Sequence, residues 1–315
     1  MALDLSIIIP AYNEEKFIGR TLATINKLVG DIAYEIIVVD NGSSDATPHI
    51  AAEYPCVQVL SIPKSTISRA RNAGAKIANS SFLAFIDADI LITERWVTAI
   101  KRKLLKHTAA GNYLGGFPVG IPNDASMLEK AWFGAFTGTF NYVRSANLVV
   151  STKTFNAIGG FDETLITAED VDFSRRAKRQ GVHIDADPEL FVIHLGFPHT
   201  IKHFFKREMW HGIGNFRDFP TFLQSRVSIA AIVWGMLLLI GICFNAFEFW
   251  FLGNMCILAH VLFPLLYVLR KFRLQNKRYL VFQYFLGYLY FTARVFSGIR
   301  AITKLHTAGH RASPQ

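Results

Sequence analysis

A mostly parallel α/β domain followed by a helical membrane region is the fold class that three observations predict. Short apolar runs at residues 5–9, 35–39, 57–60 and 82–86 alternate with helical stretches over the first hundred residues, and such alternation builds doubly wound parallel sheets. Three of the runs end in polar clusters, Pro10 to Glu14, Asp40 to Asp45 and Asp87 to Asp89. A parallel sheet gathers such strand ends at the mouth of one ligand crevice. Beyond Arg226, two tandem stretches of 21 residues, 227–247 and 249–269, contain no Asp, Glu, Lys or Arg. Each is about 30 Å long as a helix, enough for a bilayer core.

The elements follow in order. Residues 5–9 read as a strand closed by Pro10, and 14–28 as a helix with Phe17, Ile18, Leu22, Ile25 and Leu28 on one face. The second strand runs into the turn Asp40-Asn41-Gly42-Ser43-Ser44-Asp45, which caps a short helix through Glu53, with Pro48 in its tolerant first turn. Residues 57–60 form the third strand, 67–78 a helix and 82–86 the fourth strand, after which Thr93 caps a helix through His107. Between residues 111 and 140 six Gly and two Pro mix with Trp132 and several Phe, a composition that suits either a substrate-covering loop with a short helix or a packed loop. Order returns with a strand at 146–150, a helical turn at 153–158, the turn Gly159-Gly160-Phe161-Asp162, and a helix at 169–180 stopped by Gly181. The domain division expected is 1–222 and 223–315.

Charge is placed unevenly. Residues 1–200 hold 19 Lys/Arg against 21 Asp/Glu, whereas 201–315 hold 14 against 3. The basic residues lie between apolar runs, which favours anionic lipid headgroups over nucleic acid as partners. Lys206, Arg207, Arg217 and Arg226 precede the apolar pair, and Arg270, Lys271, Arg273, Lys277 and Arg278 follow it. Both ends are therefore expected on the cytoplasmic face, with the turn near Glu248 on the far side. A third apolar segment, 279–297, carries Gln283, Arg294 and eight aromatics; it is read as an interfacial helix, a third span being the alternative. Cys56, Cys243 and Cys256 show no framework spacing, so neither disulfides nor structural zinc are expected. The N-terminus enters a strand without a leader pattern. A multi-pass protein of the inner or cytoplasmic membrane, with its sheet domain in the cytoplasm, is expected.

Phe82-Leu83-Ala84-Phe85-Ile86-Asp87-Ala88-Asp89 is the most informative stretch: a buried strand delivers two carboxylates to the crevice. Hard divalent ions take such ligands together with substrate phosphates. By itself Asp-x-Asp is more often a turn capping the next helix.

Several clusters taken together carry a resemblance. They are Ile8-Ile9-Pro10-Ala11-Tyr12-Asn13-Glu14-Glu15, Val38-Val39-Asp40-Asn41-Gly42-Ser43-Ser44-Asp45, Arg69-Ala70-Arg71-Asn72-Ala73-Gly74 and Asp87-Ala88-Asp89. Ala146-Asn147, Gly159-Gly160-Phe161-Asp162-Glu163 and Glu169-Asp170-Val171-Asp172 continue the series. Over roughly residues 3–215 the chain resembles family 2 inverting glycosyltransferases of the GT-A fold, membrane-anchored members included. The resemblance implies that Pro10, Tyr12, Glu14 and Asp40 hold the nucleotide of a UDP- or GDP-sugar, with Arg69 and Arg71 near its diphosphate. Asp40 has a turn-cap reading beside this one, and one of the two arginines a solvated-helix reading. Asp87 and Asp89 would hold Mg²⁺ or Mn²⁺, Asp89 more closely, with Asp87 also serving the ribose side of the donor and His194 as third ligand in competition with His199, His203 and His211. Asp170 matches the family's general base, and Glu169 would orient the site; without the resemblance both are helix N-terminal acids.

The segment His203 to Gly212 departs from the Gln-x-x-Arg-Trp motif of processive synthases, which disfavours a processive polymerase. The reading is a metal-dependent inverting glycosyltransferase of glycan or polysaccharide biosynthesis, moving a sugar to a polyprenyl-phosphate or lipid-linked saccharide acceptor. The alternative is a catalytically silent nucleotide-sugar binding or scaffold protein. A nucleotidyltransferase lacks a Gly-rich phosphate loop here.

Overall fold

In chain order the elements up to Phe197 are β1 (Leu5–Ala11), α1 (Ile18–Leu28), β2 (Tyr34–Asp40), α2 (Thr47–Ala52), β3 (Val57–Ser61), α3 (Ile67–Ile77), β4 (Phe82–Ile86), β5 (Ile90–Ile92), α4 (Glu94–His107), β6 (Leu114–Gly115), β7 (Val119–Gly120), α5 (Met127–Trp132), β8 (Asn147–Ser151), α6 (Thr152–Ile158), α7 (Glu169–Arg179) and β9 (Val192–His194). The protein, a computed structural model, is described at residues 3–28, 30, 32–107, 113–116, 118–134, 142–273 and 277–309, with side chains to 301. It divides into one unit of Met1–Asp124 and Phe136–Phe197, and a second of Ala125–Ala135 and Pro198–Gln315.

The first unit is the α/β domain that the alternation predicts. β1 and β4 are buried along their whole length, as strands covered on both faces must be. The main sheet has the order β3-β2-β1-β4-β8-β6. β3, β2, β1 and β4 are parallel, while β8 runs antiparallel to β4 and β6 antiparallel to β8. A second sheet, β5-β9-β7, is too short to be announced by periodicity, and it pairs Ile90 with His194. The expected first helix begins four residues late: Asn13 takes a positive φ of 55° and residues 13–17 form a loop that reaches toward the β2 end. The helix expected within 111–140 is α5, opened by a capping box between Ser126 and Glu129; the rest of that region, at 111–112, 117 and 135–140, lies outside the described residues.

The core explains how distant clusters share one edge. Phe85 of β4 packs on Phe155 and Phe161 at ring-centroid distances of 5.3 and 5.2 Å, and Phe161 packs on Phe173 of α7 at 4.8 Å. This aromatic stack ties α7 to the strand that carries Asp87. Asn72 of α3 accepts from Phe161 N (2.9 Å) and donates to Phe161 O (2.8 Å), while Arg176 donates to Ile158 O and Gly160 O at 2.7 and 2.8 Å. The Gly159-Gly160-Phe161 turn, with φ of 85° and 67° at its glycines, is thus clamped from both sides.

The second unit comprises α5 with α8 (Ile201–Ile213), α9 (Phe219–Gln224), α10 (Arg226–Ala246), α11 (Trp250–Phe272) and α12 (Leu280–Gly309). Among the described residues α10 and α11 are the two helices long and apolar enough to cross a membrane. They pack antiparallel: Trp234 Nε1 donates to His260 O (3.0 Å), and farther along the pair Asn245 abuts Gly253. α12, longer than expected, lies across this hairpin. Tyr288 meets His260 Nε2 at 2.8 Å, Phe291 stacks near Trp234, Phe263 and Tyr267, and Ser297 donates to Met209 O of α8 at 2.7 Å.

Gly74 marks the closest approach of helix to sheet in the first unit. A Cβ there would sit 2.5 Å from Ile8 Cγ2 and 3.0 Å from Val39 Cγ2. Overpacking costs about 1–3 kcal/mol, and the better helix propensity of Ala returns at most about 1 kcal/mol. Gly74→Ala is therefore expected to lower the midpoint of thermal or urea unfolding; an unchanged midpoint would mean that α3 can shift freely on β1 and β2.

Candidate active site

Three loops at the carboxyl edge of the sheet are laced together by short polar side chains. Glu14 N donates to Thr47 Oγ1 (2.7 Å), Asn13 N to Ser43 Oγ (3.0 Å), and Ser44 N to Asn13 Oδ1 (2.8 Å). Asp40 is buried and accepts from Ser43 N, three residues on, at 3.0 Å, a local side-chain-to-backbone bond of the capping kind. Asn41 accepts from Ser65 N (2.9 Å) and donates to Ser65 O (3.0 Å), joining the β2 end to the segment before α3. Pro10 is buried as the penultimate residue of β1, and Tyr12 is exposed beside it, with Lys64 Nζ 2.6 Å from its ring centroid. Burial depresses the Lys64 ammonium, against the pull of Asp40.

Asp87-Ala88-Asp89 forms a tight turn between β4 and β5. Ile90 N donates to Asp87 O (3.1 Å), and Thr21 Oγ1 of α1 donates to Ala88 O (2.7 Å). The pairing of β5 with β9 brings the two metal candidates together, with Leu195 N donating to Asp89 O at 2.8 Å and His194 Nδ1 standing 3.6 Å from Asp89 Oδ2. The His194 ring stacks on Phe197 at 4.2 Å. Gly196 has no room for a side chain, since a Cβ would collide with the Asp89 carboxylate. Of the competing histidines, His199 pairs with Glu129 at 2.9 Å, and His203 and His211 lie on α8; all three belong to the second unit.

Arg71 is the centre of the site. Its side chain is 1% exposed, yet its Nη2 lies 2.6 Å from Asp87 Oδ1 and its Nη1 2.9 Å from Glu169 Oε1. Both terminal nitrogens of a guanidinium expected near a diphosphate are thus engaged by carboxylates. Arg69, two residues earlier on α3, is exposed, and the structure does not bring the pair to one face of the crevice. Glu169 is buried and also accepts from Ser145 Oγ at 2.9 Å. The residue before it, Ala168, holds a left-handed φ of 65°, a conformation that costs an alanine about 1–2 kcal/mol. Asp170 follows, half-buried, with one oxygen accepting from Val171 N at 2.8 Å. Asp172 faces away into ion pairs with Arg175 and Arg176, each 2.8 Å.

The electrostatics separate these acids by role. Burial, then the neighbouring Glu169 charge, push Asp170 up to about 7, against Arg71 and Arg144. Burial and the charges of Asp89, Asp87 and Asp45 push Glu14 up to about 8. Burial also raises Asp87, with Arg71 pulling it down. Among the described residues no group of three or more His, Cys, Asp or Glu closes around a metal. Asp89 and His194 form instead an open pair beside further carboxylates, which suits an ion that takes most of its oxygens from phosphate and water. Sequence reasoning missed Ser145, Lys64, Thr21 and Gly196. Only Gly196, next to a candidate ligand, carried a signal that could have been read.

The profile described as glycosyl transferase family 2 matches residues 6–162, and that described as glycosyl transferase family group 2 matches residues 123–295. Glycosyltransferase AglE of Haloferax volcanii is 29% identical over 210 residues, covering 62% of this chain and 67% of AglE. The pre-mycofactocin glycosyltransferase of Mycobacterium tuberculosis is 26% identical over 206 residues, covering 61% of this chain and 42% of that protein, so the match spans less than half of it. Among solved structures, the mannosyltransferase PcManGT of Pyrobaculum calidifontis, in complex with GDP-Man and Mn²⁺, shares the fold at a TM-score of 0.58 with 17% identity, covering 96% of this chain and 88% of that one. With the family group 2 profile spanning more than half of the chain and the family 2 profile lying over its parallel strands, the chain belongs to glycosyl transferase family 2.

Proposed function

We propose that the chain is a membrane-anchored inverting glycosyltransferase that moves a sugar from a UDP- or GDP-sugar to a polyprenyl-phosphate or lipid-linked saccharide acceptor at the cytoplasmic face. The observation that carries the reading is the link made by Arg71 between Asp87, at the donor end of β4, and Glu169-Asp170, at the start of α7. Relatives named as glycosyltransferases, and a fold neighbour holding GDP-Man and Mn²⁺, support a nucleotide-sugar donor. The two long apolar helices, flanked by basic residues, support the membrane anchor, beside which α12 is read as an interfacial helix from its sequence. The division of the chain at about residue 222 follows from the same reading.

Asp40 accepts from the base or ribose, Tyr12 and Pro10 border the nucleotide, and Arg69 meets the diphosphate from the exposed side of α3. Asp89 and His194, with Asp87 behind them, would hold Mg²⁺ or Mn²⁺, which when bound offsets charge on the departing nucleoside diphosphate. Asp170 takes the proton from the acceptor hydroxyl as that oxygen attacks the anomeric carbon from the face opposite the leaving group. Glu169 is a positioning residue: fixed by Arg71 and Ser145, it holds the first turn of α7 and raises the basicity of Asp170.

Asp170→Asn is expected to lower kcat by about 10²–10⁴-fold, the usual worth of a positioned base, while nucleoside diphosphate binding measured by calorimetry is retained. Equal transfer rates for the variant and wild type with a lipid-linked acceptor would sink the enzymatic reading and favour the silent scaffold. Because the base acts only when ionised, transfer should fall as pH drops through about 7, and the acid limb should vanish in Asp170→Asn.

Arg71→Met leaves the buried Glu169 and the half-buried Asp87 without their counter-ion, and breaking a buried pair costs up to about 3–5 kcal/mol. Its unfolding midpoint should drop sharply. Arg71→Lys keeps the charge, but one ammonium cannot reproduce a planar fork to two partners, so partial recovery of stability with low kcat is expected.

A further inference from the structure

Asn147, which the resemblance singles out beside Ala146, has no part in the donor, metal or base chemistry proposed for the site. It opens β8, 1% exposed, with both ends of its amide engaged. Its Oδ1 accepts from the indole Nε1 of Trp96 on α4 at 2.9 Å, and its Nδ2 donates to Leu190 O at 2.6 Å. An indole N–H only donates and a carbonyl only accepts, so these two partners fix which way the amide points. Trp96 and Leu190 are themselves fully buried. One side chain thus joins three segments of the first unit: β8, α4 and the stretch that leads into β9.

The register of β9 depends on this link. β9 ends in His194, and its ladder consists of three antiparallel pairs with β5 and two parallel pairs with β7. A buried apolar face is what normally specifies register, and of the three β9 residues only Val192 is buried. Side chains alternate between the faces of a strand, so a slip of one residue would turn His194 away from Asp89. Just before β9, two consecutive carbonyls are held by side chains, Leu190 O by Asn147 and Phe191 O by Thr93 Oγ1, each at 2.6 Å. Asn147 is in turn paired across β8 with Ile86 of β4, the residue before Asp87. The hold on β9 is therefore referenced to the strand that delivers Asp87 and Asp89.

We infer that Asn147 is a positioning residue that sets the register of β9 and so holds His194 at Asp89 for the divalent ion. This rests on the Mg²⁺ or Mn²⁺ reading above and extends it to a residue that acts only through a ligand. Outer partners that orient a metal ligand govern metal affinity by about 10–100-fold. Asp at this position would still accept from Trp96, but it would set a carboxylate against Leu190 O, where two acceptors cannot pair. Ser offers a single hydroxyl in place of the two ends of the amide.

The test measures Mn²⁺ binding to the full chain in detergent micelles by electron paramagnetic resonance, without turnover, with saturating UDP or GDP, whichever binds more tightly. Asn147→Asp and Asn147→Ser are both expected to weaken Mn²⁺ binding by about 10–100-fold. His194→Ala should weaken it as well. The Asn147→Ser/His194→Ala double variant should bind no more weakly than His194→Ala alone, because effects that pass through one ligand do not add. Trp96→Phe removes the donor to Asn147 Oδ1 and leaves Leu190 O held, so it should lower the thermal unfolding midpoint with Mn²⁺ affinity unchanged. A cooperative unfolding transition shows that each variant folds, and Asn147→Ser, which buries no charge, decides the matter where Asn147→Asp does not fold.

Unchanged Mn²⁺ affinity in a folded Asn147 variant overturns the inference and leaves the metal reading standing. Additive losses in the double variant overturn it too, because Asn147 would then act by a route other than His194. So does an equal loss of affinity in Trp96→Phe, which would mark a general loosening of the core. If wild type binds no Mn²⁺ with either nucleotide, or if His194→Ala binds it as wild type does, the assignment of the ion to Asp89 and His194 falls and takes this inference with it.

Discussion

A guanidinium shielded from water is stable only where carboxylates surround it, and Arg71 is that guanidinium here. Withdrawing such an ion from solvent costs several kcal/mol even after the protein relaxes. Asp87 and Glu169 offset the cost at 2.6 and 2.9 Å. The two carboxylates come from opposite ends of the fold's logic, one closing a central strand and the other opening α7. Their shared cation therefore fixes the distance between the end of β4 and the start of α7. The aromatic stack of Phe85, Phe161 and Phe173 beneath them performs the same task in apolar terms, so position is set twice, by packing and by charge.

What Arg71 does not neutralise is also informative. Glu14, Asp45, Asp87 and Asp89 crowd one edge, and Glu14 is pushed up to about 8 by burial and by the charges of the other three. Protein cations nearby are few: Arg71 is spent on the inner pair, and Lys64 stands over Tyr12 with its own charge disfavoured by burial. On the proposed reading, a divalent ion held by Asp89 and His194 would favour the ionised form of Glu14 and of Asp87 together. Metal binding and proton release are linked at such a site. The resident charge is then a property of the loaded crevice rather than of the empty one.

Much of this was legible in the sequence, and the limits have physical causes. Strands β1 to β4 declared themselves because burial on both faces makes them continuous apolar runs ended by turn residues. Asp87, Asp89, Glu169 and Asp170 stood out as acids at element ends. The inward turn of Arg71 did not, since an Arg-x-Arg on a helix looks the same whether a side chain meets solvent or core. The approach of His194 to Asp89 depends on β5 and β9, three residues each, too short to carry a period. Ala168 at φ 65° breaks the local preference of alanine, and such conflicts concentrate where function constrains the chain.

The second unit applies the same rule as the first, that a buried charge marks a relation between elements. Trp234, His260 and Tyr288 bind three helices through one imidazole: its Nδ1 meets Trp234 O at 2.9 Å and its Nε2 meets Tyr288 at 2.8 Å. The neutral imidazole with its proton on Nδ1 satisfies both, because a carbonyl only accepts and a phenol can donate. That arrangement needs no counter-ion and leaves no net charge among the apolar helices. Glu208 and Arg294 are different, since a buried carboxylate of α8 and a guanidinium of α12 meet there as a charged pair at 2.7 Å. One network pins its helices through uncharged hydrogen bonds and the other through a buried ion pair, whose loss of either partner would strand a charge among apolar side chains.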